Sequence, residues 1–139
     1  MYYFKRRQWR NKKGERRNIA LQGELVGPGI QKNRLKLPEI DVYFYNVFDI
    51  DEQKFLDFED MINILSDLGL KTVPIVIENF VLNHSVDELV ELSEDKSVIN
   101  KNGHREGIVL RSKIEKYVDK LGRCSFKTIN PKYLLKHGE

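Results

Sequence analysis

The chain has 139 residues, of which 40% are hydrophobic and 32% charged, with a formal net charge of +3. A chain of this size buries roughly two-thirds of its unfolded surface, which excludes a disordered or fibrous class and predicts one domain with a core. No apolar run approaches the ~20 residues of a membrane span, so no membrane partner is expected.

The opening MYYFKRRQWRNKKGERR lacks the apolar stretch and small-residue cleavage site of a secretory signal. The single Cys124 excludes an internal disulfide framework and fits a reducing compartment, with the cytoplasm as the expected location. The charge is unevenly spread. Residues 1–17 hold eight basic residues and one acid, a net of +7; the rest holds sixteen basic residues and twenty acids, a net of −4. Tyr2, Tyr3, Phe4 and Trp9 are interleaved with Lys5, Arg6, Arg7 and Arg10. Such a mix suits nucleic acid, through phosphate contacts and base stacking. It also suits a solvated or frayed terminus, or a helix whose aromatics belong to a core.

Residues 19–25 read as a strand, broken by Gly27, Pro28 and Gly29. A second strand, 40–50, is dense in β-branched and aromatic residues. Asp57 can cap a helix in which Phe58, Met61, Ile62 and Leu65 recur at helical spacing until Gly69. KTVPIVIE, 71–78, reads as a strand, with Pro74 marking an edge or a strand start. Ser85 and Glu88 form a capping box for a helix running to about Glu94. EGIVLRS, 106–112, is an almost continuous apolar run, as expected of a strand covered on both faces. RCSFKTI, 123–129, is a further strand, and 131–139 a short helix or turn. No repeat, low-complexity linker or domain boundary is visible. The order is α+β: mainly strands, with two amphipathic helices against them.

Three charged groups stand at the edges of apolar strands or inside them. Glu24 follows the first strand, Glu106 heads EGIVLR, and Lys127 lies inside SFKTI. Charge in a strand suited to burial is costly unless paired or functional. A lysine directed into a cleft beside two carboxylates suits a phosphate and metal site, the carboxylates holding Mg²⁺ or a ribose hydroxyl and the ammonium holding phosphate oxygens. The alternative is a set of solvent-exposed strand-end charges.

Four segments, in order, resemble the nucleotidyltransferase motifs of ATP-dependent RNA ligases, bacterial and phage ligases of the second phage type above all. ALQGELVGPGIQKN resembles motif III with its loop, FYNVFDI motif IIIa, REGIVLRS motif IV and SFKTINPKYLLK motif V. The resemblance divides the chain into a basic aromatic N-terminal segment, 1–17, and a ligase nucleotidyltransferase-like domain, 18–139. It implies a partial ATP-grasp-like nucleotidyltransferase domain, with antiparallel or mixed sheets and two flanking helices. The implied cofactors are ATP or AMP and Mg²⁺, and the implied partner is RNA. Glu24 would contact the adenosine ribose or help organise the metal site. Phe48 would stack on adenine, with Phe44 the alternative stacker, and Asp49 would give a supporting polar contact. Glu106 would bind the divalent ion and Lys127 the adenylate α-phosphate; these two are the implied catalytic residues. Lys132 would also reach the nucleotide, or stand as a surface lysine. Arg111 reads as a strand-end surface residue, with phosphate contact the alternative.

The family's chemistry begins with a motif I lysine, in Lys-x-Asp-Gly, that attacks ATP to form a lysyl–AMP phosphoramide. Lys12 and Lys13 precede Gly14 but lack that aspartate and lie too near motif III. The arginine-bearing motif that follows motif I is missing as well. The expectation is therefore an incomplete ligase domain, inactive alone and with unpaired sheet edges. It would be a nucleotide- or RNA-binding remnant, or one half of a split ligase completed by a second chain that supplies the lysine.

Overall fold

The computed structural model describes residues 1–138, so Glu139, the last residue of the expected terminal helix or turn, lies outside them. The described chain forms two compact units. The first comprises Met1–Val73 with Lys113–Lys116, and the second Pro74–Ser112 with Tyr117 onward. The break at Val73–Pro74 falls inside the apolar run TVPIVI, which carries none of the glycine, serine or charge signature of a linker.

The first unit is built on an antiparallel sheet of β1 (Tyr2–Arg10), β2 (Arg16–Val26), β3 (Asp41–Asp49) and β4 (Lys54–Phe55), in that order. Along β2, Ile19, Leu21 and Gly23 are buried and alternate with less buried neighbours, the period of a strand with one face on a core. Ile19 and Leu21 meet Phe44 and Val47 of β3, Leu56, and Met61, Ile64 and Leu65 of helix α1 (Phe58–Asp67).

The basic N-terminal segment is neither frayed nor helical. It pairs with β2 along its whole length, from Tyr2↔Glu24 to Arg10↔Arg16, and Tyr3 and Trp9 pack against the core. The connecting turn is held by Asn11, whose Oδ1 accepts the N–H groups of Lys13 and Glu15, each at 2.9 Å. Basic residues occupy odd and even positions of β1 alike, which hides its period of two.

Helix α1 starts and stops where the spacing predicts. Asp57 is its N-cap, but the Asp57 side chain makes no capping bond; Oδ1 instead accepts the Glu115 N–H at 2.7 Å. At the other end, Leu70 N–H reaches Leu65 C=O and Gly69 N–H reaches Ser66 C=O, the paired bonds of a Schellman stop. The strand expected at 71–78 does not form. Lys71 C=O accepts Phe44 N–H at 2.8 Å and Val73 N–H reaches Phe44 C=O at 2.9 Å, giving one parallel bridge at Thr72. Pro74 then has no N–H with which to continue a ladder.

In the second unit, β5 (Gly107–Arg111) pairs antiparallel with β8 (Ser125–Ile129). Between them lies the short hairpin of β6 (Tyr117–Val118) and β7 (Gly122–Arg123). Helix α2 (Val86–Ser93) contacts both β5 and β8, and α3 (Pro131–His137) follows β8 directly. The apolar run of β5 is not covered on both faces: Val109 is 53% exposed, and on the paired strand Phe126 is 48% exposed.

Helix α2 begins with the expected capping box. Ser85 N–H donates to the Glu88 carboxylate at 2.7 Å, and Glu88 N–H to Ser85 Oγ at 3.3 Å. The hydrogen bond from the Ser85 backbone, aided by the Ser85 side chain, holds the Glu88 carboxyl below its ordinary 4.5. A carboxyl lowered by folding contributes stability that is complete above the unfolded pKa and is lost as pH falls through the folded one. Amide exchange in the first turn of α2, corrected for intrinsic rates, should therefore quicken as the solution is acidified below 4.5. Glu88→Gln should remove that pH dependence, whereas Ser85→Ala, which keeps the backbone N–H bonded to Glu88, should keep most of it and raise opening about fivefold at neutral pH, the size of a typical N-cap deletion.

Candidate functional site

The face of the first sheet opposite the core carries one group of the expected residues. Glu24 stands across from Tyr43, Gln22 from Asn46 and Ala20 from Phe48. Asn46 Nδ2 donates to Gln22 Oε1 at 2.7 Å. Glu24 is half-buried, and among the described residues its carboxylate has no hydrogen-bond or ion-pair partner. Phe48 is also half-buried, edge-to-face with Phe55 at 5.1 Å between centroids. A polar and aromatic strip with an uncommitted carboxylate is thus displayed on rigid strands.

A β-bulge creates this arrangement. The register of β2 on β3 slips between Gln22 and Gly23, so that Tyr45 is skipped. Phe44 and Phe48, four residues apart, would share a face in a regular strand; the bulge turns Phe44 into the core, 3% exposed, and leaves Phe48 on the outer strip. Gly23 sits at the bulge because a Cβ there would lie 2.9 Å from Tyr43 O and 3.0 Å from Phe44 Cδ1.

Asp49 falls on the opposite, core face, beside Ile19. It is buried, accepts Glu52 N–H at 2.9 Å and lies 3.8 Å from Arg17 Nη1. The structure therefore brings Glu24 and Phe48 to one face and sends Asp49 to the other. Beside the strip, Lys71 pairs with Asp41 and lies 5.9 Å from the Tyr43 ring centroid. The Lys71 hydrogen bond holds the Asp41 carboxyl below its usual range, and Asp41 in turn raises the lysine.

The second unit joins the other group. Antiparallel pairing sets Gly107 against Ile129 and Val109 against Lys127, and Asn130 N–H continues the ladder to Glu106 C=O at 2.8 Å. Lys127 Nζ thereby lies 2.5 Å from Glu106 Oε1, so the segments REGIVLRS and SFKTINPKYLLK meet through one carboxylate and one ammonium. Lys132, one turn further on, pairs instead with Glu94 at 2.7 Å. Arg111 Nε donates to Ser125 Oγ at 3.3 Å.

Two residues that hold this pair in place escaped the sequence reading. Arg105 donates to the last carbonyls of α2, Nε to Ser93 at 3.1 Å and Nη2 to Leu92 at 2.5 Å, fastening the chain just before Glu106. Asn130 is fully buried; its Nδ2 donates to Arg105 C=O and its Oδ1 caps α3 through Lys132 N–H, both at 2.9 Å. The Asn-Pro pair ahead of an apolar stretch is the usual signal for such a cap. The role of Arg105 depends on contacts far apart in sequence, which no local pattern carries.

The RNA ligase family model matches residues 2–129, taking in β1, the first three of the quoted segments and the fourth as far as Ile129. Naegleria gruberi RNA ligase with PPi is 35% identical over 88% of this chain, with a TM-score of 0.76. A mutant of that ligase with ATP and Mn is 34% identical at a TM-score of 0.77, and another with AMP and Mn is 34% identical at 0.74, both over 88% of the chain. The chain spans 35% of the length of each. No curated protein matches it. Among the described residues no helix is long and apolar enough to cross a membrane. The mixed α+β arrangement of antiparallel sheets and helices is that of an RNA ligase nucleotidyltransferase-like fold. By its match over residues 2–129, the chain belongs to the RNA ligase family.

Proposed function

We propose that the chain supplies motifs III to V of an ATP-dependent RNA-joining nucleotidyltransferase, binding ATP or AMP with Mg²⁺. Residues 18–139 form the nucleotidyltransferase part in this reading. The observation that carries it is the juxtaposition of Glu106 and Lys127, from two separate motifs, across one hydrogen-bonded strand pair. Lys127 would donate to α-phosphate oxygens, an interaction stronger than a neutral hydrogen bond because the donor is charged. Phe48 would lie against adenine, and Glu24 would accept from a ribose hydroxyl or face the cation. Asp49, on the core face, would act by bracing the strand that carries Phe48. Lys132 would add positive charge near the phosphates.

The donor chemistry fits a hard divalent cation. Glu24 and Glu106, each on its own unit, present the carboxylate oxygen that is the hard donor Mg²⁺ takes while keeping several waters. When bound, such an ion would neutralise phosphate charge. The nucleophilic lysine of motif I does not occur in the chain, so binding without covalent adenylylation is the activity proposed for it alone. The cytoplasm, where Cys124 stays reduced, is the proposed setting.

The chain incubated with α-labelled ATP and Mg²⁺ should bind nucleotide reversibly, by equilibrium dialysis, and carry no covalent label after denaturation. A label on this chain, removed by Lys12→Ala or Lys13→Ala, would overturn the second half of the reading. Absence of nucleotide binding would overturn the first. A label transferred to an added chain bearing motif I would identify a split ligase.

A further inference from the structure

At the turn end of the β1–β2 hairpin, against the C-terminal end of α1, is a groove of about 330 Å³ whose walls include Arg7, Trp9, Arg10, Lys12 and Asp67. Its volume lies in the range of small-ligand sites. Three cations face one acid. Across the strand pair Arg10 stands directly opposite Arg16, a like-charge rung that costs stability. Among the described residues no carboxylate pairs with Arg7, Arg10, Arg16 or Lys12. Trp9 is held by its packing against the core, so its ring is fixed before anything binds.

We propose that this groove seats a nucleotide of single-stranded RNA, its base against Trp9 and the flanking phosphates on Arg7, Arg10 and Lys12. Uncompensated positive charge lining a groove beside an ordered aromatic is the arrangement that tracks a nucleic-acid backbone while stacking a base. The choice of RNA as the polymer rests on the RNA ligase reading. The position is separate from Glu24: Glu24 pairs with Tyr2, and the groove's Arg7 and Arg10 lie five and eight residues, about 17 and 26 Å, further along β1. The hairpin would thus hold the strand to be joined at a distance from the adenylate.

Trp9 is the only tryptophan, so its fluorescence reports this groove alone. Titration of the full chain with a 12-nucleotide single-stranded RNA should quench it. The log–log salt slope should be about −2, the value for three phosphates on a single strand. Arg7→Ala, Arg10→Ala and Lys12→Ala, all at exposed positions, should each weaken RNA binding three- to tenfold and flatten the slope by about 0.7. AMP affinity should not change in any of them. Trp9→Phe, followed by anisotropy of labelled RNA, should bind more tightly than Trp9→Leu. RNA binding without quenching, or with a slope indifferent to the three substitutions, would overturn the proposal. So would equal quenching by phosphatidylserine vesicles with the same dependence on the three cations. If AMP fails to bind while RNA still quenches Trp9, the nucleotidyltransferase reading falls and this one stands; the converse result does the opposite.

Discussion

Gly107→Ala should destabilise the second unit by about 3 kcal/mol, the upper part of the range for overpacking. A Cβ built on Gly107 lies 2.1 Å from Thr128 O and 3.0 Å from Ile129 Cα. Both atoms are backbone, so no rotamer change relieves the clash; the strands themselves must separate. Gly107 is the first rung of a five-pair ladder and lies next to Glu106. Separation there also breaks the Asn130 N–H bond to Glu106 C=O and lets Glu106 leave Lys127. The variant should melt at lower temperature, lose exchange protection over 107–111 and 125–129, and bind AMP poorly. Val109→Ala is the control: it removes an exposed side chain from the same strand and should cost well under 1 kcal/mol. Equal behaviour of the two variants would show that the close approach at Gly107 carries no such strain.

The parts of the fold that could be read in the sequence are those whose signals are local. The stop at Gly69, the capping box at Ser85 and the alternation of β2 each depend on residues within a few positions of one another. What was hidden arises from tertiary pairing. β1 carries arginine and lysine on both faces, so only the partner strand reveals that Tyr3 and Trp9 point inward. The bulge that separates Phe44 from Phe48 exists because β2 and β3 pair out of step, and a one-residue slip exchanges the faces of a strand. Phe48 and Asp49 part for a simpler reason: they are successive residues of a regular stretch of β3, so their side chains fall on opposite faces.

The site shows the same division. Glu106 and Lys127 could be named from motif order, but that they touch follows from the β5–β8 register. Lys132 falls beside Lys127 in motif V and yet pairs with Glu94, because the helix that starts after Asn130 turns it toward the end of α2. Asn130 and Arg105 hold that geometry through bonds to backbone carbonyls, which leave no pattern in a single sequence. Position in a motif identifies a residue; the direction of its side chain is decided by elements elsewhere in the chain.

Lys127→Met should lower affinity for ATP and AMP ten- to hundredfold and leave the melting temperature nearly unchanged. The argument is one of unequal magnitudes. The side chains of Lys127 and Glu106 are 49% and 51% exposed, and an ion pair so open to water is worth about 0–1 kcal/mol to the fold. A charged donor on a phosphate oxygen, in contrast, contributes about 1.5–3 kcal/mol to binding. Glu106→Gln should behave differently, leaving metal-free nucleotide affinity near that of the parent and removing the increment that Mg²⁺ adds. Lys132→Ala should have the smallest effect, since its ammonium is already held by Glu94. The double charge reversal, Glu106→Lys with Lys127→Glu, separates the two meanings of the pair. It keeps opposite charges side by side, so whatever the pair gives to stability is retained. It puts a carboxylate where the phosphate should find an ammonium, so nucleotide affinity should stay lost. Recovery of nucleotide binding in the reversed variant would mean that Glu106 and Lys127 serve only the strand pairing, and the adenylate site would have to be sought elsewhere in the chain.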